Sequence, residues 1–63
     1  MYSLTDMVKI QSADKRFNNM SGKVIEVYPA GTMDVEPVYM IQYDAPLGSN
    51  TKGMFKDSEL TSA

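Results

Sequence analysis

No stretch of this chain keeps an apolar face at helical spacing long enough to make a helix of ten residues. Short apolar runs are instead cut about every 8 to 12 residues by clusters of turn formers. That punctuation confines the chain to a small all-β architecture. The first run, "DMVKIQ" (residues 6–11), sets Val8 and Ile10 on one side of a strand and Met7, Lys9 and Gln11 on the other, the alternation of a half-buried strand. A polar loop, "SADKRFNNMSG", follows with Phe17 inside it. The second run, "KVIEVY" (23–28), ends at "PAG", because Pro29 has no N–H for a ladder and Gly31 accepts φ > 0. Val24 and Val27 are odd-spaced, so either a bulge turns both inward or the strand is apolar on both sides.

In "PVYMIQYD" (37–44), Tyr39, Ile41 and Tyr43 form the expected core face, opposite Val38, Met40 and Gln42. "APLGSNT" reads as a turn and implies a hairpin to a fourth strand, "KGMFK" (52–56). In the closing "DSELTSA", Asp57 and Ser58 are expected to satisfy backbone N–H groups of one short helical turn before Leu60 returns to the core. Gly22, where loop meets strand in "NNMSGKVIEV", is expected to mark a corner too tight for a Cβ.

Length sets the energetic frame. A chain of 63 residues makes one domain at most and buries roughly 60% of the surface its unfolded form exposes. It has neither Cys nor His, which removes disulfides, the usual zinc ligands, the commonest general base and the most nucleophilic side chain. No spacing pairs a hydroxyl with a base, so the expectation is a protein that is not an enzyme and carries no cofactor. "MYSLTDMVKI" lacks the basic and apolar regions of a signal peptide, and no run of roughly 18 apolar residues exists, so the expectation is a cytoplasmic protein without a membrane partner.

The order strand, long loop, "SGKVIEV", hairpin pair, "GMFKDSEL" resembles the SH3-like small barrel group over nearly the whole chain. Within it, Gly22, Val24 and Val27 match the Gly-x-Val-x-x-Val stretch of KOW-type domains of ribosomal and transcription-elongation proteins. Asn18 or Asn19, both tolerant of the left-handed region, stands where those domains have a loop glycine. The chain is also similar to the ferredoxin-docking accessory subunits of photosystem I, ferredoxin–thioredoxin reductase and photosynthetic complex I. That likeness is carried by "VKI", "RFNNMSG", "PVYMIQYD" and an F-x-x-x-E-L element formed by Phe55, Glu59 and Leu60. The resemblance implies a small SH3-like five-stranded barrel with one short 3-10 turn near the C-terminus. It implies binding, to protein or to nucleic acid, and not catalysis.

Net charge and methionine favour a protein partner, while the cation patch suits either role. Six Lys and Arg against eight Asp and Glu give a net charge of −2, which opposes an RNA or DNA binder. Even so, Lys9, Lys15, Arg16 and Lys23 lie near Phe17, a set able to follow phosphates with a base stacked on the ring, or to meet an acidic protein. Met7 and Met40 occupy faces opposite the core set, where a solvated strand would carry polar residues, and Val38 joins them. Tyr28, beside Pro29, is the best candidate for an exposed aromatic contact, whereas recognition of PxxP segments lacks its Trp. The favoured expectation is a docking or accessory module using Tyr28, Val38, Met40 and Met7. The alternative is a KOW-type nucleic-acid module using Lys9, Lys15, Arg16, Phe17 and Lys23. The sequence leaves the oligomeric state open.

Overall fold

A computed structural model describes residues 2–63 and contains five strands. They are β1 (Met7–Ile10), β2 (Ser21–Tyr28), β3 (Val38–Leu47), β4 (Asn50–Lys56) and β5 (Leu60–Ser62), with a 3-10 turn at Asp57–Glu59 before β5. All pair antiparallel in one sheet of order β4-β3-β2-β1-β5, so the first four form a meander and the last returns to lie on β1. The sheet does not close, and β4 and β5 are its edges. No helix among the described residues is long and apolar enough to cross a membrane.

The inward positions follow the alternation expected of them. Val8, Ile10, Val24, Tyr39, Ile41, Tyr43, Phe55 and Leu60 form one buried cluster drawn from all five strands. Val8, Ile10, Tyr39 and Ile41 are completely covered although the sheet is the only regular layer, so the sheet must curl around its own side chains. Tyr2, Phe17, Met20 and Val27 pack against that cluster. The Phe17 ring stands edge-on to Phe55 at 5.8 Å between centroids and tilted to Tyr43 at 6.3 Å.

A bulge in β2 resolves the odd spacing of its valines. Val24 faces Ile41 and Glu26 faces Met40, which leaves Ile25 as one extra residue on β2. The bulge resets the alternation, so Val24 and Val27 both turn toward the core. β2 also starts earlier than its apolar run suggests, at Ser21, which places Gly22 inside the strand and not at a corner before it. The steric demand there is a close approach. A Cβ on Gly22 would lie 2.5 Å from both the Gln42 carbonyl oxygen and Ile41 Cγ2. The left-handed backbone of the preceding loop belongs to Asn19, at φ 69°. Its N–H donates to the Ile10 carbonyl (2.8 Å), while the Ile10 N–H donates to the Met20 carbonyl (2.7 Å), which closes the neck of the loop.

The 3-10 turn forms as expected, but its caps come from elsewhere. The Glu59 carboxylate accepts the Lys56 N–H (3.0 Å), and Glu36, from the β2–β3 loop, accepts the Ser58 N–H (2.8 Å). Asp57 is committed to the hydroxyl of buried Tyr39, which donates to it at 3.0 Å and accepts the Tyr2 N–H at 3.1 Å. A buried hydroxyl without partners would be costly, so Tyr39 takes the carboxylate that sequence reasoning gives to the turn. The Tyr2 hydroxyl in turn donates to the Leu60 carbonyl (3.0 Å), which ties the N-terminal segment to the start of β5.

Candidate binding surfaces

The register of the sheet sets the chemistry of its outward face row by row. One row runs Met7, Lys23, Gln42, Lys52 across β1 to β4. The next carries Glu26, Met40 and Met54, and the one beyond it Tyr28, Val38 and Lys56. The four residues expected to contact a protein therefore share one face, in different states. Met7 is 46% exposed, Met40 and Tyr28 are half-buried, and Val38, 6% exposed, has little surface to offer. Met7 is parted from Met40 by Lys23 and Gln42. The exposed apolar residue of this face that sequence reasoning left out of the set is Met54, 41% exposed and directly opposite Met40. Its signal is present in the alternation of β4, where Phe55 points inward and Met54 must therefore point out.

Tyr28 is less free than its place at a strand end suggests, because its hydroxyl donates to the Glu26 carboxylate. The neighbouring carboxylate holds the phenol above its ordinary pKa.

The residues of the nucleic-acid alternative are divided. Lys9 and Lys23 project from the outward face, but Phe17 turns its ring to the core cluster. Arg16, in the β1–β2 loop, forms an ion pair with Asp14 (Nη2 to Oδ2, 2.8 Å), and its guanidinium carbon lies 5.2 Å from the centroid of the Phe17 ring. The side-chain hydrogen bond from Arg16 keeps the Asp14 carboxyl below the usual range. Phe17 thus packs on Phe55 and Tyr43 and has the Arg16 guanidinium beside its ring, so little of it is left as a platform for a base. Lys15 is exposed in the same loop.

The β2–β3 loop carries a third exposed group, Met33 at 56% and Val35 at 89%. They border an open depression of about 440 Å³ lined only by Gly31 to Val35. The loop is held by the Gly31 N–H to the Asp34 carbonyl (2.7 Å) and by Asp34 Oδ1, which accepts the Val35 N–H (2.6 Å). That second bond first, and Lys56 at 3.5 Å after it, keep the Asp34 carboxyl low. Its lining comes from this one loop, so it has the form of a loop surface and not of a ligand pocket. Among the described residues, no group of three or more His, Cys, Asp or Glu is placed to hold a metal ion.

Comparison of the chain with protein-family models, with curated proteins and with solved structures finds no match.

Proposed function

We propose that this chain is a small SH3-like barrel that acts as a non-catalytic docking module, an adaptor or accessory subunit of a larger protein assembly. The observation that carries this reading is the Met40–Met54 pair on the outer face of the sheet. Two adjacent, flexible, polarisable side chains stand there, one of them 41% exposed, where solvation alone would favour polar residues. Tyr28 and Met7 extend the patch to either side, and Lys23, Lys52 and Lys56 form a charged rim. The barrel itself is supported by the return of β5 to β1 and by a core shared between both edge strands. A KOW-type role is less well supported, since Phe17 is committed to the core and Arg16 to Asp14.

Affinity capture from the native cell extract, with and without nuclease, tests the reading when wild type is run beside Met40→Asp. A carboxylate at that outward site should leave the fold intact and abolish capture of a nuclease-resistant protein. Loss of all co-purifying material on nuclease treatment would instead establish a nucleic-acid module.

A further inference from the structure

The overall acidity of the chain conceals a basic face. Of its six cations, Lys9, Lys23, Lys52 and Lys56 alternate onto the outward side of β1, β2 and β4, where Glu26 and, by continued alternation, Asp44 are the carboxylates. The remaining six carboxylates come from outside these strand rows, although Asp34 reaches Lys56 from the β2–β3 loop, and each has internal work. Asp6 accepts the Ser3 N–H, Asp14 binds Arg16, and Asp34 accepts the Val35 N–H. Glu36 accepts the Ser58 N–H, Asp57 the Tyr39 hydroxyl, and Glu59 the Lys56 N–H. The acids are therefore largely structural. Of the cations on the face, Lys56 is paired with Asp34, whereas Lys9, Lys23 and Lys52 have no carboxylate within 4 Å among the described residues.

We propose that the lysine and methionine face of the sheet binds a short acidic segment of a partner protein, its carboxylates on Lys9, Lys23 and Lys52 and an apolar side chain on Met40 and Met54. This rests on the reading of that face as the docking surface and adds the chemistry of the occupant. Lys23 and Lys52 flank Gln42 and stand two strands apart, about 10 Å, while Lys9 lies one row away, about 7 Å along the strand. An extended segment presents every second side chain at about 7 Å, so successive carboxylates fall within reach of long lysine side chains whose strands set them about 7 to 10 Å apart. The whole face spans about 14 Å by about 20 Å, the footprint of a segment and well short of the roughly 800 Å² per partner of a standard protein interface.

Two other occupants fit less well. A nucleic acid would need a stacking ring among the cations, and the only aromatic residue on these rows is Tyr28, whose hydroxyl is bound to Glu26. Apart from Asp44, the carboxylates of a second copy already accept hydrogen bonds within their own chain, so among the described residues a second copy offers one uncommitted acid where three free cations stand.

The decisive experiment is a titration of the isotope-labelled protein, followed by amide and methionine-methyl NMR. The probes are a short peptide of alternating Asp and Ser around two Leu, the same peptide with Asn for Asp, and a short oligothymidylate. The acidic peptide should shift Lys9, Lys23, Gln42, Lys52 and the methyls of Met40 and Met54. Its binding should weaken as salt is raised and exceed that of the Asn peptide. The K23E/K52E variant should keep its melting temperature and lose about tenfold or more in affinity. K23Q/K52Q, which adds no repulsion, should show a smaller loss in the same direction.

Equal binding of the two peptides, with K23E/K52E unchanged but M40D inactive, would overturn the acidic occupant and leave the docking face standing. Indifference to M40D and K23E/K52E alike would overturn both readings. Absence of any shift with the acidic peptide, tighter binding of the oligothymidylate, or the same shifts on raising protein concentration alone would each overturn this proposal, the last two in favour of nucleic acid or a second copy.

Discussion

Strand β3 presents two different surfaces on alternate residues, one packed into the core and one turned outward. Inward, Tyr39 and Ile41 are fully covered and Tyr43 nearly so. The backbone has been thinned to admit them: Gly22 leaves room for Ile41 and the Gln42 carbonyl, and the Tyr43 ring lies over Gly53, where any Cβ would strike its hydroxyl. Outward, Val38, Met40 and Gln42 are flanked by Met54, Lys52, Lys56 and Glu26, long side chains with many rotamers. The inner set has shapes that admit one packing, and the outer set has shapes that can adjust to a visitor. A substitution on one face should therefore alter the fold while leaving binding chemistry in place, and the reverse should hold for the other.

The strongest challenge to the inner face is Gly22→Val. Its Cβ alone would press on a carbonyl oxygen and a buried methyl at 2.5 Å, and neither can withdraw without parting β2 from β3. We expect a loss of about 3 kcal/mol, a third or more of a total stability of roughly 3–9 kcal/mol for a chain of this size. Urea denaturation measures it. A loss below about 1 kcal/mol would mean that the strands can separate at this pair and that the inner face is more adaptable than described.

Tyr39→Phe probes the same face at its polar end. It removes the donor to Asp57 and the acceptor of the Tyr2 N–H while keeping the ring, and should cost about 1–3 kcal/mol. The pH dependence gives a second readout. Burial first, and Asp57 after it, hold the Tyr39 phenol above its ordinary pKa, so the folded state favours the neutral form. Stability from this group is complete below about pH 10, the ordinary tyrosine value, and is lost as pH rises through the folded value. Wild type should weaken in alkali, and the Phe variant should weaken less steeply. It should not become flat, because Tyr43 is raised by burial as well. Identical alkaline slopes for the two proteins would remove Tyr39 as a pH-sensitive part of the core.

The contrast between faces also explains what could be read without coordinates. Alternation inside one strand is a local property, so Val8 and Ile10 in β1, and Tyr39, Ile41 and Tyr43 in β3, were legible as core. The odd spacing of Val24 and Val27 carried the bulge as one of two readings. What was illegible depends on the partner strand. Val38 is buried on the outer side because of what lies beside it, and Met54 belongs to the patch only through its register with Met40. Phe17 sits in a polar loop whose composition gives no sign that its ring packs on Phe55. Glu36 caps a turn 22 residues away. Strand β5 has three residues, too few for any period. The basic face was hidden for the same reason, since net charge is a sum over the chain while a face is a product of pairing.

Met54→Gln is the gentlest test and the one that separates the faces most cleanly. Glutamine keeps nearly the same length and flexibility, and the site is 41% exposed with no part in the buried cluster, so stability should change by less than about 0.5 kcal/mol. The melting curve should overlay that of wild type. If the outer face is a recognition surface, the same change removes half of the Met40–Met54 pair and introduces an amide that a partner's apolar side chain cannot satisfy, so capture or peptide binding should fall several-fold. A variant that melts earlier by several degrees would mean that Met54 helps to close the curled sheet, and the outer methionines would then belong to the fold. A variant that neither melts earlier nor binds less would leave Met54 as surface without consequence, and the partner's contacts would have to be sought among Met7, Tyr28 and the exposed Met33–Val35 loop.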